Sequence, residues 1–240
     1  VNVVLTGLGR VLGLQLVLRL SDGMPRAAAR GLLAATVVVV NAAPMLAVAT
    51  GTIGYGDVWL WLALEVVTIY VWSLARALVS RGPDGRGRAR SFGTLFFGFH
   101  YGMFALVPFL VGLATVLPVA PLRSPWLTVL VLGGIGFLAA GWASAGRLRE
   151  RRPLGIGDFV RAYARMALAY AALFVPLVAQ GVGSSDDLTR LGAGQSRGLA
   201  LLVLAAKLVL ELLLVLAVER RDGRLLVLGR PVVVTVRRAA

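Results

Sequence analysis

Residues 198 to 218 read GLALLVLAAKLVLELLLVLAV, an unbroken aliphatic run except for two charges, Lys207 and Glu211. A hydrocarbon core about 30 Å thick takes about 20 helical residues to cross, so this stretch predicts a membrane span. Lipid offers no partner to exposed backbone groups, which makes the span a helix. Lys207 is the only lysine of the chain, and Glu211, four residues on, falls on the same helical face. A charge at that depth is costly and marks either a packing device or a functional site.

Five earlier stretches have the same character, at approximately 31 to 50, 57 to 79, 92 to 117, 125 to 147 and 160 to 182. Turn-forming residues separate them: Gly51 and Gly54, Gly82-Pro83-Asp84-Gly85, Pro118 with Pro121 and Pro125, Pro153-Leu154-Gly155, and Gly183 to Asp187. Composition agrees, with 58% hydrophobic and 15% charged residues in 240 and a mean hydropathy of +0.84. The expected fold is all-α, a polytopic membrane protein with six transmembrane helices in one domain over residues 24 to 219.

Arginine placement predicts the orientation, because positively charged loops stay cytoplasmic. One side collects Arg10, Arg19, Arg26 and Arg30, then Arg81, Arg86, Arg88 and Arg90, then Arg147, Arg149, Arg151 and Arg152, and finally the tail from Arg220 to Arg238. The opposite loops carry only Arg123, Arg190 and Arg197. Both termini are therefore expected in the cytoplasm, with the protein in the inner membrane of a bacterium whose GC-rich genome favours arginine. The lipid bilayer is the expected partner, with anionic headgroups held by the arginine-rich loops and tail. The net charge of +14 does not imply nucleic acid, since the arginines form no continuous solvated basic face with interleaved aromatics.

Residues 1 to 23 are apolar but broken by Arg10, Gln15 and Arg19. They read as an amphipathic interfacial segment, as an untranslated stretch ahead of Met24, or as a seventh span made costly by its arginine. They do not read as a cleaved signal peptide. Residues 220 to 240 form a basic tail, either disordered or folded as a short hairpin around Gly229 and Arg230. Pro44, Pro108 and Pro176 each fall in the outer half of an outward-running span. They are either ordinary membrane-helix prolines or kinks that open a cavity.

The polar residues within the spans are the candidate site. At about 1.5 Å of rise per residue, Glu65 and Lys207 both come close to the midplane, about 12 and 14 Å below the outer surface. His100, Arg165 and Glu211 fall in the inner half, and Asn41 near the middle of the first span. Glu65, His100, Lys207, Glu211, Arg165 and Asn41 are thus expected to line a path for a proton, an ion or a small charged solute. The competing reading is a neutralised polar core that only fixes helix packing. Histidine suits a proton relay because it titrates near neutral pH. One histidine and no cysteine exclude thiolate or polyhistidine metal centres, and no metal, cofactor or catalytic group is expected. Two small-residue stripes, Gly98 with Gly102 and Gly136 with Ala140 and Ser144, are expected at helix contacts.

His100-Tyr101-Gly102-Met103-Phe104, with Glu65 in the preceding span, resembles an uncharacterised prokaryotic integral membrane family known only as a domain of unknown function. Asn41-Ala42-Ala43-Pro44 looks like its first-span motif, Tyr163-Ala164-Arg165 like its Tyr-x-Arg, and Lys207 with Glu211 like its closing Lys-x-x-x-acid pair. The order agrees over approximately residues 40 to 220. That family carries further histidines where this chain has Pro108, Tyr170 and Leu212 to Leu216, and a Tyr-Trp pair before the acid where Trp59 and Trp61 are displaced. If relatives hold a metal through those histidines, this chain does not. The resemblance implies a fold and no activity.

The leading expectation is a small permease or channel-like protein, with Glu65 and His100 as carriers and Lys207 as counter-charge. A structural or assembly subunit is the alternative. A retinal Schiff base on Lys207 lacks a carboxylate counter-ion in the third span, and an intramembrane serine protease lacks its histidine base in the last. An enzyme is therefore the least favoured class.

Overall fold

Thr50 and Gly51 end the first span where the sequence predicts a stop. Gly51 takes the left-handed conformation, φ +78°, which a side chain would strain. The amides of Thr50, Gly51 and Thr52 then bond back to the last-turn carbonyls of Leu46, Val48 and Ala47. The computed structural model describes residues 25–80, 92–149, 154–179, 193–216, 218–221, 224–227 and 230–231. The segment 1 to 23, all four arginines of the second loop (Arg81, Arg86, Arg88 and Arg90) and the turn from Gly183 to Asp187 lie outside the described residues.

Each of the six apolar stretches forms a helix: α1 Arg26–Ala49, α2 Tyr55–Val79, α3 Phe92–Val119, α4 Gly134–Arg149, α5 Ile156–Ala179 and α6 Ala193–Leu216. A π-helical stretch, Leu127–Gly133, runs directly into α4. Among the described residues four helices are long and apolar enough to cross a membrane. These spans are Arg30–Ala49, Tyr55–Val79, Phe96–Val119 and Gly194–Val215, with mean hydropathies of 2.2, 1.7, 2.1 and 2.5. The fourth apolar stretch contributes a shorter one, Leu127–Gly141. The helical body is followed by three short antiparallel strands in the tail, β1 Val218–Arg221, β2 Arg224–Val227 and β3 Arg230–Pro231. Val227 pairs with Arg230, so the described residues of the tail take the hairpin form of the two expected there.

Helix α2 is the centre of the bundle. It packs against α3, α4 with the π stretch, α5 and α6, while α1 packs along α6. Every residue from Tyr55 to Ala63 is buried, which explains why this half of α2 is apolar all round rather than striped. Small residues on its neighbours admit its large ones. A Cβ on Gly112 of α3 would collide with the Trp59 indole, and one on Gly102 with the Tyr70 ring. Tyr70 also donates to the Gly98 carbonyl at 3.1 Å. The Gly98 and Gly102 stripe is therefore a helix contact, as its spacing predicts.

On α4 the expected stripe fails at Gly136. Nothing lies within 4 Å of a Cβ built on Gly136, whereas one on Gly133 would meet Leu64 and one on Gly141 would meet the Trp72 indole. Trp72 Nε1 donates to the Phe137 carbonyl at 3.0 Å on the same face. The contact face is thus 133, 137 and 141. The expected stripe rests on residue size alone, and size does not fix which side of α4 meets α2.

Candidate functional site

Four helices bring their polar residues to one place. Lys207 and Glu211 project together from α6 because they are one turn apart, and the Lys207 ammonium bonds Glu211 Oε1. From α2, Glu65 reaches the same ammonium with Oε2 at 3.4 Å. From α5, Arg165 Nε lies 2.8 Å from Glu65 Oε1 and its Nη2 lies 3.5 Å from Glu211 Oε1. The four charges alternate in sign around a closed ring, in which each carboxylate touches both cations. Asn41 of α1 completes the cluster, its Nδ2 donating to Glu211 Oε2 at 2.7 Å and to the Val37 carbonyl at 2.9 Å.

Burial is unequal around the ring. Lys207 is 4% exposed and Asn41 fully buried, while the Glu65 and Arg165 side chains are 21% and 27% exposed. Lys207 is covered by the Trp61 ring, whose centroid is 5.0 Å from the ammonium. Trp61 stands one turn before Glu65, so α2 offers a carboxylate and an aromatic face together. Ionised groups away from water cost several kcal/mol each unless paired and hydrogen-bonded. Here every formal charge of the ring is paired, and the ring sums to zero.

His100 is not brought to the ring. Its Nδ1 is 2.8 Å from the Tyr163 hydroxyl, and its imidazole lies between Phe96 and Phe104, with ring centroids 4.7 and 4.6 Å away. Tyr163 and Arg165 are two apart on α5 and so project to different sides. Five of the six sequence candidates thus form one cluster, and the sixth belongs to a neighbouring aromatic one. An apolar cleft between α2, α3 and α5 lies beside that aromatic cluster, lined by Trp59, Val66, Phe104 and Tyr170 among others.

Two polar groups that sequence reasoning passed over are as deeply set. Asp57 is fully buried at the start of α2. Its Oδ2 accepts the amides of Gly54 and Arg123, each at 2.9 Å, and its Oδ1 accepts the Ser124 amide at 3.1 Å and the Thr128 hydroxyl at 2.9 Å. It therefore clamps the α3–α4 connection onto the α1–α2 turn. At the other end of α2, Arg76 is 5% exposed and grips Asp158 of α5 through two bonds of 3.0 Å. Asp57 had a legible signal, an acidic residue three positions after Gly54 where a helix accepts a capping carboxylate. Arg76 reads in sequence as one more flanking arginine.

Residues 24–225 match the sequence family described as Family of unknown function (DUF6498). The chain belongs to this family. The match covers all six helices, including every ring residue and both polar groups at the ends of α2. No curated protein and no solved structure matches the chain. Membership agrees with the resemblance carried by the His100 motif, Glu65 and the Lys207–Glu211 pair, and it assigns no chemistry.

Proposed function

We propose that the protein is a small permease whose coupling site is the Glu65–Arg165–Glu211–Lys207 ring with Asn41, the solute being a proton or a small charged species. The observation that carries the reading is the closed alternation of charge. Removing one partner from a buried ion pair leaves an uncompensated charge that costs about 3 to 5 kcal/mol. Opening the ring is therefore strongly disfavoured unless another charge takes the vacated place. An incoming proton on a carboxylate, or an ion beside Glu65 or Arg165, provides that replacement. The partial exposure of Glu65 and Arg165 gives it a side from which to approach. His100 with Tyr163 lies outside the coupling site on this reading, along its α3 flank.

Six membrane crossings, both termini in the cytoplasm, residence in the inner membrane and contact of the arginine-rich loops with anionic lipid complete the proposal. The α1–α2 turn and the α3–α4 connection then face outward. In proteoliposomes, Glu65→Gln or Lys207→Met is expected to abolish proton or ion flux while the purified protein remains folded. Wild-type flux in both variants overturns the reading.

A second reading, a structural subunit whose ring only fixes packing, is favoured by the complete pairing of the ring's charges. The joint replacement Lys207→Leu with Glu211→Leu separates the two. It removes one charge of each sign and leaves the Glu65–Arg165 pair at 2.8 Å intact. A permease loses flux in this variant, and a structural subunit keeps its behaviour and its partners.

A further inference from the structure

Charge placement leaves three arginines on the side opposite the basic loops, and the fold brings two of them, Arg123 and Arg197, to one point. Arg123 belongs to the α3–α4 connection and Arg197 to the beginning of α6. A methyl group built on Gly51 would stand 3.3 Å from Arg197 Nη2 and 3.6 Å from Arg123 Nη1. Both guanidinium groups therefore stand over the α1–α2 turn at Gly51, and both side chains are exposed. Arg123 Nη1 donates to the Gly51 carbonyl at 3.3 Å. Among the described residues no carboxylate pairs with either guanidinium.

The convergence is built rather than incidental. The Arg123 amide is held by the buried Asp57 carboxylate, as is that of Ser124. Ser196, next to Arg197, is buried and accepts the Tyr55 amide at 3.1 Å. Gly54 makes room for the Arg123 stem, since a Cβ there would come within 3.2 Å of its Cδ and Nε. Two cations placed near each other repel, and an anion between them turns that repulsion into attraction. Guanidinium forks match the oxygens of an oxyanion two at a time. Trp126, three residues beyond Arg123, is 76% exposed. An exposed tryptophan next to a span end sits at headgroup level, which puts the arginine pair at the depth of lipid phosphates.

We infer that Arg123 and Arg197 form an oxyanion site for a phosphate group, supplied either by a lipid headgroup or by a soluble phosphate. The site is separate from the charge ring and does not depend on the permease reading. The test follows thermal unfolding of the full-length protein in a neutral detergent. Dihexanoyl phosphatidic acid is titrated in one arm and inorganic phosphate in the other. A saturable rise in midpoint is expected in the wild type, with the apparent affinity weakened roughly tenfold in Arg197→Gln and the response lost in Arg123→Gln with Arg197→Gln. Arg197→Lys, which keeps the charge without the fork, is expected to fall between. A response to the lipid alone identifies the headgroup as the source, and a response to both arms identifies free phosphate. Arg197 donates no side-chain hydrogen bond among the described residues, so Arg197→Gln carries the test if the double variant does not fold. No response in either arm, or unchanged affinity in Arg197→Gln, overturns the inference.

Discussion

Asp57 and Glu211 are both carboxylates held within the helical bundle, yet they are satisfied in opposite ways. Asp57 accepts from three backbone amides and one hydroxyl, so its partners are fixed parts of the chain. Glu211 is held by an ammonium, a guanidinium and an amide at the ends of side chains. A carboxylate bonded to backbone pins loops and has no second arrangement to adopt. One bonded to side chains can exchange them, provided the sum of charge in the ring is kept. The first arrangement suits a clamp, and the second suits a site that changes state.

The sharpest break of that comparison is Asp57→Ala. It orphans four donors, each costing about 1 to 3 kcal/mol when buried, and detaches the α3–α4 connection from the α1–α2 turn. Unfolding in mixed micelles is expected to show the largest loss of stability of any substitution named here. A loss under about 1 kcal/mol would mean that the clamp carries no weight.

Next in size is Lys207→Met, expected to cost about 3 kcal/mol because both glutamates lose a cation at once. The joint Lys207→Leu and Glu211→Leu variant is expected to recover most of that loss, since the charge sum returns to zero. Unfolding midpoints for the single and joint variants check the pair directly. Equal destabilisation would show that these groups act separately rather than as a ring.

Smaller effects test the flanks. Gly141→Ala places a methyl group against the Trp72 indole and is expected to destabilise by about 1 to 3 kcal/mol, whereas Gly136→Ala meets nothing and is expected to be neutral or slightly stabilising. The reverse order in a thermal melt would return the α4 contact face to the side that carries Gly136. Tyr163→Phe removes one bond from His100 and is expected to cost about 1 kcal/mol. Measured flux should survive it if His100 lies outside the coupling site, and a loss of flux comparable to that of Glu65→Gln would put His100 back on the path.

Legibility in the sequence followed the cost of each residue. Lys207 and Glu211 stand out because a charge inside an aliphatic run has no cheap explanation, and their one-turn spacing already places them on one face. Glu65 joins them by depth alone, counted from the ends of the spans. His100 has similar depth and a similarly conspicuous setting, but depth says nothing of azimuth. It lies on α3, which packs against α2 and α5 but contributes no residue to the ring. Arg76 was hidden because it stands near a span end, where arginines are ordinary, and only the approach of α5 makes it a buried partner of Asp158.

What the sequence determined by itself is the helical body, its turn positions and the placement of charges deep within the spans. Period, length and the price of burying charge act locally along the chain. Which charges meet was decided by the tertiary structure. Rotation of each helix about its axis depends on how glycines and large rings interlock, as at Gly112 with Trp59 or at Gly141 with Trp72. That interlocking closes the ring around Lys207, turns His100 away from it and lays Arg123 beside Arg197.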